Sequence, residues 1–205
     1  ARVKDPDQQR KLMEIVLEDV GRLDRLITDI SNASRLDAEL NRAEAASVDI
    51  AGMLRALAES QNATAKHGAP RVVTDIESDA AFPVDGIEDR STQVFSNIVA
   101  NAKSFSPPGG AVTVRARQDA GMVRIDIEDQ GPGIPEAKLD AIFDRFYSER
   151  PEGEKFGTHS GLGLSISKQI VEAHRGLVRA ENRTDGDGNV LGARFVVFLP
   201  MLRRA

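Results

Sequence analysis

The stretch from Ala111 to Asp129 constrains the fold most. Val112, Val114 and Ala116 alternate with polar residues, and Val123, Ile125 and Ile127 do so again. A period of two places each set on one face of a strand. Asp119-Ala120-Gly121 lies between them and supplies turn residues, so 111–117 and 122–129 read as a β-hairpin. Helical periodicity brackets this hairpin. Over 88–105, Val94, Ile98, Ala102 and Phe105 recur on one face at about 100° per residue, until Pro107-Pro108-Gly109-Gly110 breaks the helix. A further helix is predicted from Gly161 to about His174.

The flanking residues fill in around that centre. Asp5 and Pro6 suit a helix start, and no proline follows before Arg35. Leu12, Val16, Leu23, Leu26, Ile30 and Ala33 fall on a heptad seam that Asp19 interrupts, with Met13, Val20 and Ile27 as a second stripe. This face is wider than a two-stranded coiled coil needs. It fits either a helix lying on its own globular domain or half of a hairpin that dimerises into a four-helix bundle. The polar, alanine-rich residues 37–46 read as a junction between units at 1–40 and 41–205. Beyond it, 53–65 reads as a helix ended by His67-Gly68, 71–76 as an edge strand and 79–85 as a loop. The stretches 177–181 and 193–199 read as a final antiparallel pair joined through Asp185-Gly186-Asp187-Gly188-Asn189. Residues 144–160 are polar, mixed in charge and broken by Pro151, Gly153 and Gly157, a length usual for a loop that is either functional or disordered.

Bulk properties exclude several classes. A net charge of −5 gives no electrostatic ground for nucleic-acid binding. The absence of cysteine excludes a disulfide scaffold and thiol chemistry. No apolar run approaches the roughly 20 residues of a spanning helix, so either the protein is soluble or any membrane part is expected outside this sequence.

Three pieces carry chemistry. Gln93, Asn97, Asn101 and Ser104 share one polar stripe, and paired amides on a helix can offer oxygens to a hard cation. Asp129 ends a strand and precedes Gly131 and Gly133. It can accept hydrogen bonds from a buried ligand while the backbone passes close by, or it can serve as an ordinary turn carboxylate. Ser160-Gly161-Leu162-Gly163-Leu164 is a glycine-rich turn opening a helix, which presents backbone N–H groups to phosphates.

In order and company these pieces resemble the catalytic, ATP-binding domain of sensor histidine kinases. NIVANAKSFSP (97–107) resembles the N box, DQGPGIP (129–135) the first glycine box, IFDRFY (142–147) the F box and GLGLSI (161–166) the second glycine box. Residues 19–40 resemble the second helix of the dimerisation and phosphoacceptor hairpin, most closely in alphaproteobacterial ChvG/ExoS-type sensors. The resemblance implies an α+β fold, a two-layer α/β sandwich of Bergerat type with a mixed sheet, behind a long dimerisation helix. It implies ATP and Mg²⁺ as cofactors, and transfer of the γ-phosphoryl to a histidine on the first helix of the hairpin, which this sequence lacks. Relay to the aspartate of a response-regulator receiver domain would follow, with a homodimer and the bacterial inner membrane as the setting of the whole protein.

Residue by residue, the resemblance implies that Asp129 accepts the adenine amino group and that Asn101 binds Mg²⁺. Asn97, Lys103, Gly131, Gly133, Ile134, Phe143, Phe146, Tyr147, Arg150, Ser160, Gly161, Leu162, Gly163 and Leu164 would complete the ATP site. Related ATPases of the gyrase, Hsp90 and MutL type carry a glutamate at the position of Asn97. An amide cannot take a proton, so Asn97 argues for phosphoryl transfer over hydrolysis. Two departures stand out. The family lysine position holds Ser104, and Lys103 points about 120° away, so Lys103 must snorkel back or Arg145, Arg150 or Lys155 must replace it. Thr158-His159-Ser160 stands where relatives often have glycines. None of His67, His159 and His174 is followed by an acidic residue, so no phosphoacceptor is expected here. A scaffold that binds ATP without transferring it is the alternative reading, and a chaperone- or repair-type ATPase a further one.

Overall fold

The computed structural model describes residues 9, 10, 12, 13, 16, 17, 20, 46–77, 79–147 and 161–202. The first seven of these are helical, and Leu12, Met13, Val16, Leu17 and Val20 expose their side chains. The rest of the predicted long helix, including most of its heptad seam, lies outside the described residues.

From residue 46 the elements run β1 (Ala46–Asp49), α1 (Ile50–Ala63), β2 (Arg71–Asp75), β3 (Pro83–Gly86), α2 (Glu88–Phe105), β4 (Ala111–Asp119) and β5 (Met122–Glu128). Two 3₁₀ turns (Glu136–Lys138 and Ala141–Phe143) lead to α3 (Gly163–Ala173), β6 (Leu177–Thr184) and β7 (Val190–Pro200). The main sheet has the order β2-β4-β5-β7-β6. Its β2–β4 pair is parallel and the others are antiparallel, so the sheet is mixed. This is the α+β two-layer architecture expected.

Alternation decides which face each strand buries. Val112, Val114, Ala116, Val123, Ile125 and Ile127 lie inward with Phe195, Val197 and Leu199. They meet Val94, Phe95, Ile98, Val99 and Ala102 of α2 and Ile166, Ile170 and Val171 of α3. The interleaved polar residues form a layer of ions on the opposite face. There Glu128, only 4% exposed, accepts hydrogen bonds from Arg115 and Arg194, with Arg183 Nε 3.3 Å away. Burial pushes the Glu128 carboxyl up, but the two guanidinium hydrogen bonds and the Arg183 charge outweigh it and hold it below its usual value.

Several boundaries moved for identifiable reasons. α1 begins at Ile50, earlier than predicted, because Asp49 caps it: Oδ1 accepts from Ala51 N at 3.1 Å and also from Phe82 N at 3.2 Å. β3 occupies the end of the predicted loop 79–85 and runs one residue past it, and it pairs with β1, which starts at the last residue of the predicted junction 37–46. Each has four residues, too few to show a period. α3 begins at Gly163, since Gly161 sits at φ +70°, outside the right-handed helical region.

Candidate functional site

Asp129 follows β5 directly and is 2% exposed. Its Oδ1 accepts from Gly131 N at 2.9 Å and Ala193 N at 2.8 Å, and its own N–H donates to Ala193 O at 3.0 Å. The contact to Gly131 is the turn-carboxylate geometry, but the contact to β7 is long-range and seats the group in the interior. Burial pushes the Asp129 carboxyl above its ordinary value, against the pull of those two amides and the Arg183 charge. The result is a carboxyl with one oxygen fixed by backbone, poised next to a loop of glycines.

That loop is held from β6 and β7. Asn182 accepts from Ile134 N and donates to Ile134 O, both at 2.7 Å. Gly133 sits at φ +81°, which favours glycine, and a Cβ there would crowd Asn182 Oδ1 at 2.7 Å and Val190 Cγ1 at 2.5 Å. A Cβ on Gly192, at φ +144°, would meet Asp129 O at 2.1 Å. The approach of β7 to Asp129 therefore requires glycine there. Asn182, Arg183, Gly192 and Ala193 were not among the predicted site residues. The one available signal was Gly192 inside a strand pattern, which marks a close backbone approach.

Helix α2 lies between two neighbours and shows each a different face. Toward α3, Asn97 Nδ2 donates to Gly163 O at 3.1 Å and Ser167 Oγ at 3.4 Å. Both donors thus serve the start of α3, and the oxygen is the group left to accept. Asn101, one turn on, is half-buried, and among the described residues its side-chain amide makes no hydrogen bond. Toward α1, Thr92 Oγ1 reaches Met53 Sδ at 3.2 Å and Lys103 Nζ donates to Gln61 Oε1 at 3.1 Å. Lys103 is therefore directed to α1, away from Asn97 and α3, so of the two alternatives its return to the site is not what the structure shows. The helical offset of Lys103 from Asn97 accounts for this. Of the replacement cations, Arg145 is exposed, while Arg150 and Lys155 lie outside the described residues, as do His159 and Ser160.

The aromatic pair divides. Phe143 is buried edge-on against Phe195, with centroids 6.4 Å apart and an interplanar angle of 85°. Phe146, expected beside it in the site, is 63% exposed at φ +66°, and its N–H donates to Gly161 O at 3.0 Å. Phe146 thus marks the point where the chain before residue 148 meets the chain after 160. The half-buried Tyr147 has a buried hydroxyl without a hydrogen-bond partner among the described residues. Leu162 is buried and Leu164 packs against the core, with Gly161 and Gly163 beside them at the N-terminus of α3. Among the described residues no three of His, Cys, Asp or Glu cluster to hold a metal. The half-buried Asn101 could supply one oxygen ligand to a hard cation. His174 accepts from Ile87 N at Nε2 (3.1 Å) and faces Ile170 O with Nδ1 (2.7 Å), so both ring nitrogens are used structurally.

A mixed-sheet sandwich with a buried aspartate between glycine turns, beside an asparagine-bearing helix, defines a nucleotide-binding domain of ATPase type. Residues 86–203 match the family described as histidine kinase-, DNA gyrase B-, and HSP90-like ATPase, and the chain belongs to that family. It is 47% identical over 204 residues to the sensor protein ChvG of Rhizobium meliloti (strain 1021), a match covering 96% of this chain and 35% of the relative. The chain thus spans about a third of the length of the curated relatives it matches. Among solved structures it is similar to the mycobacterial sensor histidine kinase MprB, with a TM-score of 0.65 at 28% identity over 78% of this chain and 99% of that one. It is also similar to full-length ShkA in complex with AMPPNP, with a TM-score of 0.72 at 26% identity over 100% of this chain and 41% of that one.

Proposed function

We propose that this chain is the ATP-binding catalytic part of a two-component sensor histidine kinase of ChvG type. The observation that carries the reading is Asp129, a carboxyl buried at the end of a central strand with one oxygen fixed by Gly131 and Ala193. A carboxylate only accepts hydrogen bonds, so it selects a base edge that donates, as the adenine amino group does. Residues 41–205 form the ATP-binding domain, and 1–40 the second helix of a dimerisation hairpin. The exposed Leu12, Met13, Val16, Leu17 and Val20 are consistent with a face that packs on other helices.

Asn101 would supply an oxygen to Mg²⁺, and the glycine-rich turn 161–163 at the start of α3 would face the phosphates with its backbone. When bound, Mg²⁺ neutralises charge on the phosphate chain. Asn97 cannot serve as a base, which argues against hydrolysis; transfer to a histidine and then to a response-regulator aspartate is the chemistry that the kinship to sensor kinases suggests. His174 is engaged on both ring nitrogens, and no histidine here has an acidic successor, so the acceptor belongs to a further segment of the protein.

Incubation with γ-labelled ATP and Mg²⁺ tests this. The 205-residue chain should bind nucleotide, hydrolyse it slowly and carry no acid-labile label. Addition of a dimerisation helix bearing its histidine should yield acid-labile phosphohistidine. Acid-labile label on the chain alone, abolished by a single His→Ala change, contradicts the assignment of the acceptor. A nucleotide-gated scaffold is the second reading, favoured by the turn of Lys103 toward Gln61. Binding without labelling even with the added helix selects it.

A further inference from the structure

We propose that Asn182 and Arg183 are positioning residues that clamp the two ends of the Asp129–Ile134 loop and thereby set discrimination between nucleobases. The inference rests on the nucleotide reading above. Consecutive strand residues point to opposite faces of a sheet, and here both reach the same loop. From the helix-covered face, Asn182 pairs its amide with the backbone N–H and C=O of Ile134. This imitates one rung of an antiparallel ladder. From the outer face, Arg183 donates from Nη1 to the Asp129 carbonyl at 2.9 Å, while its Nε lies 3.3 Å from Glu128 Oε2. The contacts span 48 and 54 residues of sequence, so neither follows from local structure. The β6–β7 register is irregular between Arg183 and Thr184, at the same place. Asp129 and Ile134 are the ends of the segment that contains Gly131 and Gly133.

The clamp matters to a ligand through Gly131. Its N–H is one of the two donors that fix Asp129 Oδ1. If Ile134 or the Asp129 carbonyl is released, Gly131 shifts and the carboxylate loses the orientation on which base reading depends. A site built to accept from an amino group rejects a base with a carbonyl in its place, because two acceptors then face each other. A loosened carboxylate turns aside, and that rejection fades.

The test compares ADP with IDP, which carries a carbonyl where ADP carries the amino group. Affinities are measured by calorimetry on the whole chain, well below the unfolding midpoint, with thermal unfolding recorded for each variant. Asn182→Ala should lower ADP affinity about tenfold, the scale of one misaligned hydrogen bond, and leave IDP affinity unchanged. The ADP-over-IDP ratio then falls by the same factor. Arg183→Ala should act in the same direction, and Arg183→Lys, which keeps a donor and the charge, should recover part of the ratio. If Asn182→Ala fails to fold, the isosteric Asn182→Asp carries the comparison, since it faces Ile134 O with a second acceptor. Equal losses for both nucleotides, or a lowered unfolding temperature with the ratio intact, assign a purely fold-supporting role and overturn the inference. A wild-type chain that binds no ADP refutes the nucleotide reading itself. A wild-type preference for ADP that every variant keeps refutes only the clamp.

Discussion

Asp129→Asn separates what Asp129 does for the fold from what it does for a ligand. Asparagine keeps an Oδ1 acceptor for Gly131 N and Ala193 N, so the two backbone bonds survive. It also removes a charge whose burial is costly, as the raised pKa of the carboxyl shows. The sign follows from linkage: a carboxyl whose folded pKa is raised costs stability as pH rises through that value. At neutral pH the ligand-free variant should therefore be no less stable than the wild type, and its unfolding midpoint should rise. Nucleotide binding should change the other way. The new amide NH₂ faces the adenine amino group donor to donor, which replaces an attraction with a buried mismatch costing about 1–3 kcal/mol. ADP affinity then drops about 5- to 150-fold. Calorimetry with ADP and denaturation of the free chain give both numbers from one preparation. A destabilised variant with unchanged ADP affinity would refute the reasoning, because Asp129 would then be a structural turn carboxylate only.

Three further expectations follow from individual contacts. Asn97→Asp removes the donors to Gly163 O and Ser167 Oγ and sets a carboxylate against a carbonyl, so urea unfolding should show a loss of about 1–3 kcal/mol. Gly192→Ala places a methyl 2.1 Å from Asp129 O at φ +144°; strain and overpacking together should cost at least about 2 kcal/mol and abolish ADP binding in calorimetry. The lowered pKa of Glu128 gives stability that is fully present above its ordinary value of 4.5 and is lost as pH falls through the lowered one; Arg194→Ala should move the acid midpoint, read by circular dichroism, to higher pH.

The sequence was most legible where one period governed a whole element. Helix α2 was predicted at its observed bounds because apolar positions recur along its 18 residues and a Pro-Pro-Gly-Gly run ends it. The β4–β5 hairpin was legible for the same reason. β1 and β3 were missed because four residues cannot show a period and their partners lie far apart in the chain. Among the candidate site residues, Asp129, Asn97 and the glycines were picked out by residue type and spacing, and the structure joins Asp129 to Gly131 and Asn97 to Gly163 by hydrogen bonds. Phe146 could not be placed, because its exposure depends on a positive φ that no sequence pattern announces. Lys103 was correctly read as off the polar stripe, but its partner Gln61 lies 42 residues away on another helix. Asn182 and Arg183 were invisible because a strand pattern reports which face a residue takes, not which distant loop that face will meet.

Glu128 and Asp129 are adjacent and both nearly inaccessible, yet their carboxyls shift in opposite directions. The difference lies in what each face of the sheet provides. On the outer face Glu128 has three guanidinium groups within reach, enough to overcome the cost of its burial. On the other side Asp129 is fixed by two backbone amides at a single oxygen, and the nearest guanidinium is spent on its main-chain carbonyl. Fold stability alone gives no reason for a charge in that second setting, since an asparagine would make the same two bonds at less cost. A carboxyl buried at that cost with one oxygen left over suits a donor from outside the chain, which is the physical ground for proposing the nucleobase contact at Asp129 rather than at Glu128.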